Sequence, residues 1–259
     1  MRGSAGVMAL VLAETVAGST ALVFLSPLWS EVRRGFFKLT GSILALLAVA
    51  TWATADGAAV AGDVAGEWAV RLGAAVAALS VGWVLLLFLR AATAARVLGL
   101  LCAPVSVALL AALAGTGRQP VALSFFQLLA GAALLGAVTD GLLLGHWYLT
   151  DRGLTRAPIN RHTALLLAAV ALEVAAVASG GFDPVRSTTE INPLLTTGAL
   201  APWIALGMVG TTALIAVITR IALRGQRASA VQAATGFFYL SVVTAFTAEV
   251  AVKVRFLPG

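Results

Sequence analysis

The chain has 259 residues, of which 60% are hydrophobic and 11% are charged. A soluble domain carries about 25% charged residues, so this chain lacks the polar surface that a water-soluble fold of its size needs. Its net charge of +6 would suggest a nucleic-acid partner in a soluble protein, but the basic residues fall in short loops, where membrane topology accounts for them. We therefore expect the lipid bilayer as its surroundings and no nucleic-acid partner.

Eight apolar runs are long enough to cross a hydrocarbon layer of about 30 Å as helices. Pro27 ends the first run, and Gly115 with Pro120 separates the fourth from the fifth. The runs do not alternate apolar and polar residues, which excludes a membrane β-barrel. The sequence thus predicts an all-α, polytopic integral membrane bundle that forms one transmembrane domain over residues 1–259. The predicted spans are about 7–29, 37–56, 68–89, 96–114, 122–148, 163–180, 199–220 and 230–252.

The distribution of basic residues predicts the orientation. The loops that follow the odd-numbered spans contain eleven Lys and Arg residues, and the opposite side, with Lys253 counted in it, contains six. Basic residues are enriched in cytoplasmic loops, so both termini are expected on the non-cytoplasmic side. We expect a multi-pass protein of the cell's inner (cytoplasmic) membrane.

Two acids on consecutive spans are the first functional candidates. Asp140 and Glu173 both lie about 12–15 Å below the predicted cytoplasmic interface. An ionised carboxylate at this depth costs at least about 2.5–3.5 kcal/mol. One hypothesis is that the two face each other and share a proton, as part of a proton relay. The alternative is that each acid forms a separate hydrogen bond that fixes helix packing.

Two further acids fall within predicted spans. Glu14 lies on an apolar face of the first span with Gly18 and Leu22, and it is a third candidate for a proton relay. Glu249 lies near the outer end of the last span with Lys253 four residues later. An exposed ion pair between these two residues is the simplest expectation.

The segment 140–148 contains a dense group of unusual residues. Gly141 and Gly145 have the spacing that allows close helix packing. Trp147 and Tyr148 suit the headgroup region, where an aromatic belt is common. The two aromatic residues are therefore expected at the membrane surface.

His146 precedes this aromatic pair, and His162 opens the next span. Together with Trp147 and Tyr148 they are candidates for a quinone site, because a histidine can donate a hydrogen bond to a ring carbonyl. Haem ligation by the two histidines is a further option, although their spacing on one hairpin matches no known ligation pattern. The alternative is that both are interfacial residues bonded to water and headgroups.

The sequence lacks the signatures of common enzymes. It has no nucleotide-binding loop, no His-Glu-x-x-His and no Gly-x-Ser-x-Gly. The single cysteine, Cys102, excludes an intrachain disulfide and a cysteine-built metal site. No metal site is predicted, and the chain is not expected to be catalytic on its own.

Two short stretches carry a family resemblance. Thr15-Val16-Ala17-Gly18-Ser19 in the first span and 124–131, Ser-Phe-Phe-Gln-Leu-Leu-Ala-Gly, at the start of the fifth resemble the membrane-anchor subunits of the polysulfide and dimethyl sulfoxide reductase families. The resemblance implies a quinol site near one membrane face and an iron–sulfur partner subunit. The chain departs from those families by having no histidine in its second or third span, so no residue roles are transferred.

Three functions remain open at this point. The first is a membrane subunit of a respiratory or other redox complex that contacts quinone and relays protons; other membrane or redox subunits are then its partners. The second is a small proton-coupled transporter or exporter, which should have a broken helix and a polar cavity at mid-membrane depth. The third is a scaffold or assembly factor without a ligand.

Overall fold

The computed structural model describes residues 1–151, 153–181, 200–225 and 228–256. Eight of its helices are long and apolar enough to cross a membrane, which confirms the predicted all-helical polytopic fold. In chain order the helices are α1 (Gly3–Leu25), the short α2 (Leu28–Glu31), α3 (Arg34–Ala58), α4 (Val64–Phe88), α5 (Ala92–Ala114), α6 (Val121–Thr150), α7 (Ala157–Ser179), α8 (Ala201–Ala222) and α9 (Ala228–Phe256).

Two helix ends differ from the prediction in a way that affects the site. α1 ends at Leu25 rather than at 29, because the chain turns at Ser26 and Pro27 before the separate helix α2. α9 continues to Phe256, beyond the predicted end at 252. The extension places Lys253 inside a membrane-spanning helix instead of in an outer segment.

Helices α1 and α6 cross at the centre of the bundle. α1 contacts α3, α5, α6 and α9, and α6 contacts α5, α7 and α9 as well. The remaining helices complete two groups, with α4 between α3 and α5 on one side and α8 between α7 and α9 on the other. The centre of the bundle is therefore the place where side chains from both groups can meet.

The crossing of α1 and α6 depends on two glycines. A Cβ atom added to Gly18 would lie 1.7 Å from the carbonyl oxygen of Ala132, and one added to Gly136 would lie 2.4 Å from the carbonyl carbon of Gly18. Both distances are far shorter than any real contact, so the two backbones touch where they cross. This contact fixes the position of Glu14, one turn before Gly18, against α6.

The loops gather at two ends. The terminal end holds the chain's first and last described residues, and there the Met1 ammonium lies 2.9 Å from Asp63. The opposite, arginine-rich end holds α2 and the loops after α4, α6 and α8. At that end the Arg161 guanidinium donates two hydrogen bonds, of 3.0 and 2.9 Å, to the Glu31 carboxylate. Which end faces the cytoplasm stays a prediction that rests on the basic residues.

Gly18→Ala tests the central crossing. We expect it to lower the free energy of unfolding by about 1–3 kcal/mol or more, because the added methyl group meets backbone that cannot move aside. The matched control is Gly207→Ala on α8, where the added Cβ has open space among the described residues and improves helix propensity by about 1 kcal/mol. Thermal unfolding of both variants in one detergent measures the difference. Equal stability would show that α1 and α6 lie further apart.

Candidate functional site

Four charged side chains converge inside the bundle. They are Glu14 of α1, Glu173 of α7, and Glu249 and Lys253 of α9, and each is at most 1% exposed. The Lys253 Nζ atom lies 2.7 Å from Glu14 Oε1 and 3.0 Å from Glu249 Oε2. We call these four residues the carboxyl–lysine cluster.

The carboxyl groups also lie close to one another. Glu249 is near enough to both Glu14 and Glu173 for their carboxyl groups to interact electrostatically. Glu173 in turn is near enough to Lys253 to interact with it electrostatically. Two carboxyl groups can hydrogen-bond to each other only when one of them carries a proton. Glu249 has one of the other two carboxyl groups on either side of it.

The helices bring these groups together for identifiable reasons. Glu249 and Lys253 lie one turn apart on the same face of α9. On α6 a Cβ atom at Gly131 would lie 2.5 Å from Glu14 Oε1 and 2.8 Å from Glu249 Oε2. The missing side chain of Gly131 therefore makes the room that the two carboxyl groups occupy. One turn earlier, the Gln127 amide donates to the carbonyl oxygen of Ala176 (3.3 Å) and ties α6 to α7.

The cluster lies deep in the spanning region. Along their helices, Glu14 and Glu249 are about 16 Å and about 10 Å from the terminal end. In a hydrocarbon layer of about 30 Å this places the cluster between the middle of the layer and its terminal side. Water does not solvate charges at this depth unless the protein provides a path.

A pocket of about 100 Å³ lies at the terminal end of the bundle. Gln127, Val177 and Val252 are its innermost lining residues along their helices, and Arg118 and Arg255 lie nearer the end of the bundle. Gln127 is one turn from Gly131, and Val177 is one turn from Glu173. This terminal pocket is thus separated from the cluster by about one helical turn, or about 6 Å.

The charges of the cluster do not balance when all four groups are ionised. Among the described residues, Lys253 is the one cation within salt-bridge distance of these carboxyl groups. Repulsion between like charges is strong where the dielectric constant is low. One ammonium can compensate one carboxylate, so the cluster contains two more carboxyl groups than its cation can balance.

Asp140 is not part of this cluster. It is fully buried, and its carboxyl lies beside the Ser19 hydroxyl of α1, whereas Glu173 faces Glu249 and Lys253 of α9. The hypothesis that Asp140 and Glu173 face each other is therefore wrong, because their carboxyl groups lie beside different residues. The predicted equal depth is also wrong. Because α7 begins at Ala157 rather than at 163, Glu173 lies about 24 Å along α7 from the arginine-rich end, whereas Asp140 lies about 15 Å from it along α6.

The ion pair between Glu249 and Lys253 forms, but its predicted exposure is wrong. Both side chains are fully buried. The reason is that α9 extends to Phe256 and turns this face toward α1. The sequence analysis missed Lys253 and Gly131 as members of the site. The available signal was the apolar run that leads up to Lys253, since a lysine that continues such a run needs a partner.

The two histidines have separate environments. His146 is exposed, and its Nδ1 lies 3.0 Å from the Tyr239 hydroxyl of α9. His162 is fully buried instead of interfacial, with its Nδ1 3.3 Å from the carbonyl oxygen of Pro158. No contact between described residues joins the two rings. Within the described ranges, no group of three or more His, Cys, Asp and Glu side chains is arranged to hold a metal ion.

The other candidates on α6 contribute to packing. The Trp147 ring packs edge-on against Phe36 of α3, with 6.4 Å between the ring centroids. Tyr148 is buried rather than in the headgroup region, and its hydroxyl donates to the carbonyl oxygen of Thr155. A Cβ atom at Gly141 or Gly145 would collide with α9, where it would lie 2.1 Å from Phe238 and 2.6 Å from Thr235, respectively. Both glycines thus lie at a close contact between α6 and α9.

Comparisons with known proteins add no functional assignment to this geometry. A comparison with known protein families finds no match, and a comparison with curated proteins finds no similar sequence.

Lys253→Met tests how strongly the cluster depends on its one cation. We expect the free energy of unfolding to fall by about 3–5 kcal/mol, because the nearly isosteric change leaves buried carboxyl groups without a counter-charge. Adding Glu14→Gln should recover part of this loss. Lys38→Met, at the chain's other lysine, is the control, since Lys38 stacks on the Phe88 ring (4.6 Å) and should contribute about 1 kcal/mol or less. Equal effects of the two lysine variants would contradict the arrangement.

Proposed function

We propose that this polytopic membrane protein is a proton-coupled transporter in which the carboxyl–lysine cluster takes up and releases protons. The observation that carries the proposal is the convergence of three fully buried carboxyl groups on one lysine. Buried acids in membrane-spanning helices commonly belong to proton relays. A group that exchanges protons is what coupling to a proton gradient requires.

The composition of the cluster supports proton exchange over a purely structural role. An ion pair that only joins α9 to α1 needs Lys253 and a single carboxylate. Glu173 is not within salt-bridge distance of Lys253 in the described structure, so it adds negative charge without forming a second ion pair. Its place next to Glu249 suits a proton that moves between two carboxyl groups.

The terminal pocket supplies the route by which protons reach the cluster. Gln127 and the two pocket-lining arginines make its surface partly polar, and a chain of a few waters can bridge one helical turn. On the other side, Asp140 is the next buried acid toward the arginine-rich end. It lies about 13 Å from Gly131 along α6, which is beyond the reach of a direct hydrogen bond.

A proton can cross this gap only through intervening water or after helices move. All eight described spans are continuous helices, and Pro104 lies within α5 without ending it, so the broken helix expected of a transporter is not found in the described ranges. In this proposal the movement involves whole helices on either side of the α1–α6 crossing.

A membrane subunit of a redox complex is the second candidate. The observation that favours it is the exposed pair of His146 and Tyr239. With Nδ1 bonded to the Tyr239 hydroxyl, the Nε2 of His146 is available to a quinone carbonyl near the arginine-rich end. The quinol site of the reductase anchors would have a counterpart here. Purification in mild detergent distinguishes the candidates, since this role requires partners whose cofactors absorb visible light.

Glu173→Gln is the sharpest test of the transport proposal. Glutamine keeps the shape of the side chain but cannot titrate, and both salt bridges of Lys253 stay in place. In liposomes that contain the full-length protein, we expect the wild type to dissipate an imposed pH gradient when a transported solute is supplied, and Glu173→Gln to lose most of this solute-dependent flux. The matched control is Glu67→Gln, at an exposed acid of α4 that pairs with Arg71 (3.8 Å) and should leave the flux unchanged.

Infrared spectra of the same proteins provide a readout that does not depend on transport. The carbonyl band of a protonated carboxyl group should change between acidic and alkaline buffer in the wild type, and part of this change should be missing in Glu173→Gln. A wild-type cluster whose spectrum does not respond to pH would overturn the proposal, because a fixed ion-pair network cannot couple to protons.

A further inference from the structure

A second polar site lies at the arginine-rich end, away from the carboxyl–lysine cluster. It is an open pocket of about 370 Å³ between the start of α7 and the end of α8. Its lining residues are Arg156, Asn160, Arg220, Leu223 and Arg224. Three of the five are arginines, and no acid belongs to the described lining. The pocket is therefore suited to an anion.

Backbone contacts hold the two helix ends together around this arginine pocket. The Arg220 guanidinium donates to the carbonyl oxygen of Asn160 (3.4 Å), and Arg156 donates to that of Gly225. The lining residues are four positions apart at each helix end: Arg156 and Asn160 at the start of α7, and Arg220 and Arg224 at the end of α8. The guanidinium groups thus enter the pocket from two neighbouring elements, which allows several donors to reach one ligand.

An apolar stripe continues from the pocket along the outside of α8. Leu214, Val217 and Ile221 are 61, 44 and 56% exposed, and Arg224 follows at the same helical spacing. In a bilayer such a stripe faces lipid chains, and Arg224 lies at its end near the membrane surface. A charged pocket at the end of an apolar stripe matches a ligand that has both an anionic and an apolar part.

We propose that the arginine pocket binds the phosphate headgroup of an anionic phospholipid, with the acyl chains against the α8 stripe. Guanidinium groups form bidentate hydrogen bonds with phosphate oxygens, and basic pockets between membrane helices are suited to anionic headgroups. The general excess of arginine in cytoplasmic loops explains why basic residues occur at this end. This excess of arginine does not explain why a pocket between two helices is followed by an apolar stripe on α8.

The test compares lipids on the purified full-length protein. We expect phosphatidylglycerol to raise the thermal midpoint of the wild type, and phosphatidylcholine with the same acyl chains to have little effect. Inorganic phosphate should also have little effect, since it lacks the acyl chains. Arg220→Gln with Arg224→Gln should weaken phosphatidylglycerol binding about tenfold or more, because at least one charge-assisted hydrogen bond is lost.

The matched control is Arg90→Gln with Arg96→Gln, which removes two exposed arginines from the same end outside the pocket. This pair should leave the binding of phosphatidylglycerol unchanged. Equal weakening by both double variants would overturn the proposal in favour of general surface charge, and equal protection by inorganic phosphate would replace the lipid by a soluble anion. A wild type that does not distinguish the two lipids would also overturn it. If the double variant does not fold, Arg224→Gln alone provides the comparison.

Discussion

The interaction on which the rest of the structure depends is the contact of the Lys253 ammonium with Glu14 and Glu249. It joins the last helix to the first at a depth where neither charge could remain without a partner. The contact requires two glycines on α6, because a side chain at either position would occupy the space needed. Gly136 lets α1 approach, and Gly131 leaves room for the two carboxyl groups. The charges and the glycines therefore form one arrangement, and a change in either disturbs the other.

A buried ion pair is weak evidence for stability, because well-packed apolar residues of similar volume are often as stable or more so. The presence of Glu173 beside an already paired Glu249 adds repulsion that packing does not need. Such a cost is understandable when the groups exchange protons, and this is the physical reason for preferring a functional interpretation of the cluster.

The sequence was sufficient to predict the eight spans, because the length and hydropathy of a run determine whether a helix can cross a bilayer. It was also sufficient to identify Glu14 and Glu173 as candidates, since an acid in such a run is costly. The partners could not be derived in this way. They depend on the rotation of each helix about its axis, which one sequence does not encode in a readable form when apolar residues surround the helix on all sides. The burial of His162 and of Lys253 illustrates this limit, whereas the mistaken pairing of Asp140 and Glu173 also reflects a helix boundary, since α7 begins at Ala157 rather than at 163.

The crossing of α1 and α6 also separates the two acidic sites. Gly18 lies between Glu14 and Ser19 on α1, and Gly136 lies between Gly131 and Asp140 on α6. The backbones touch at this level, so no water fits between the two helices there. In the proposed function, the carboxyl–lysine cluster exchanges protons with the terminal pocket, while Asp140 stays on the far side of the contact between α1 and α6. A protein that couples to a proton gradient needs such a barrier, because a continuous polar path through the bundle would dissipate the gradient. In that proposal, the contact that positions Glu14 against α6 also closes the path between α1 and α6.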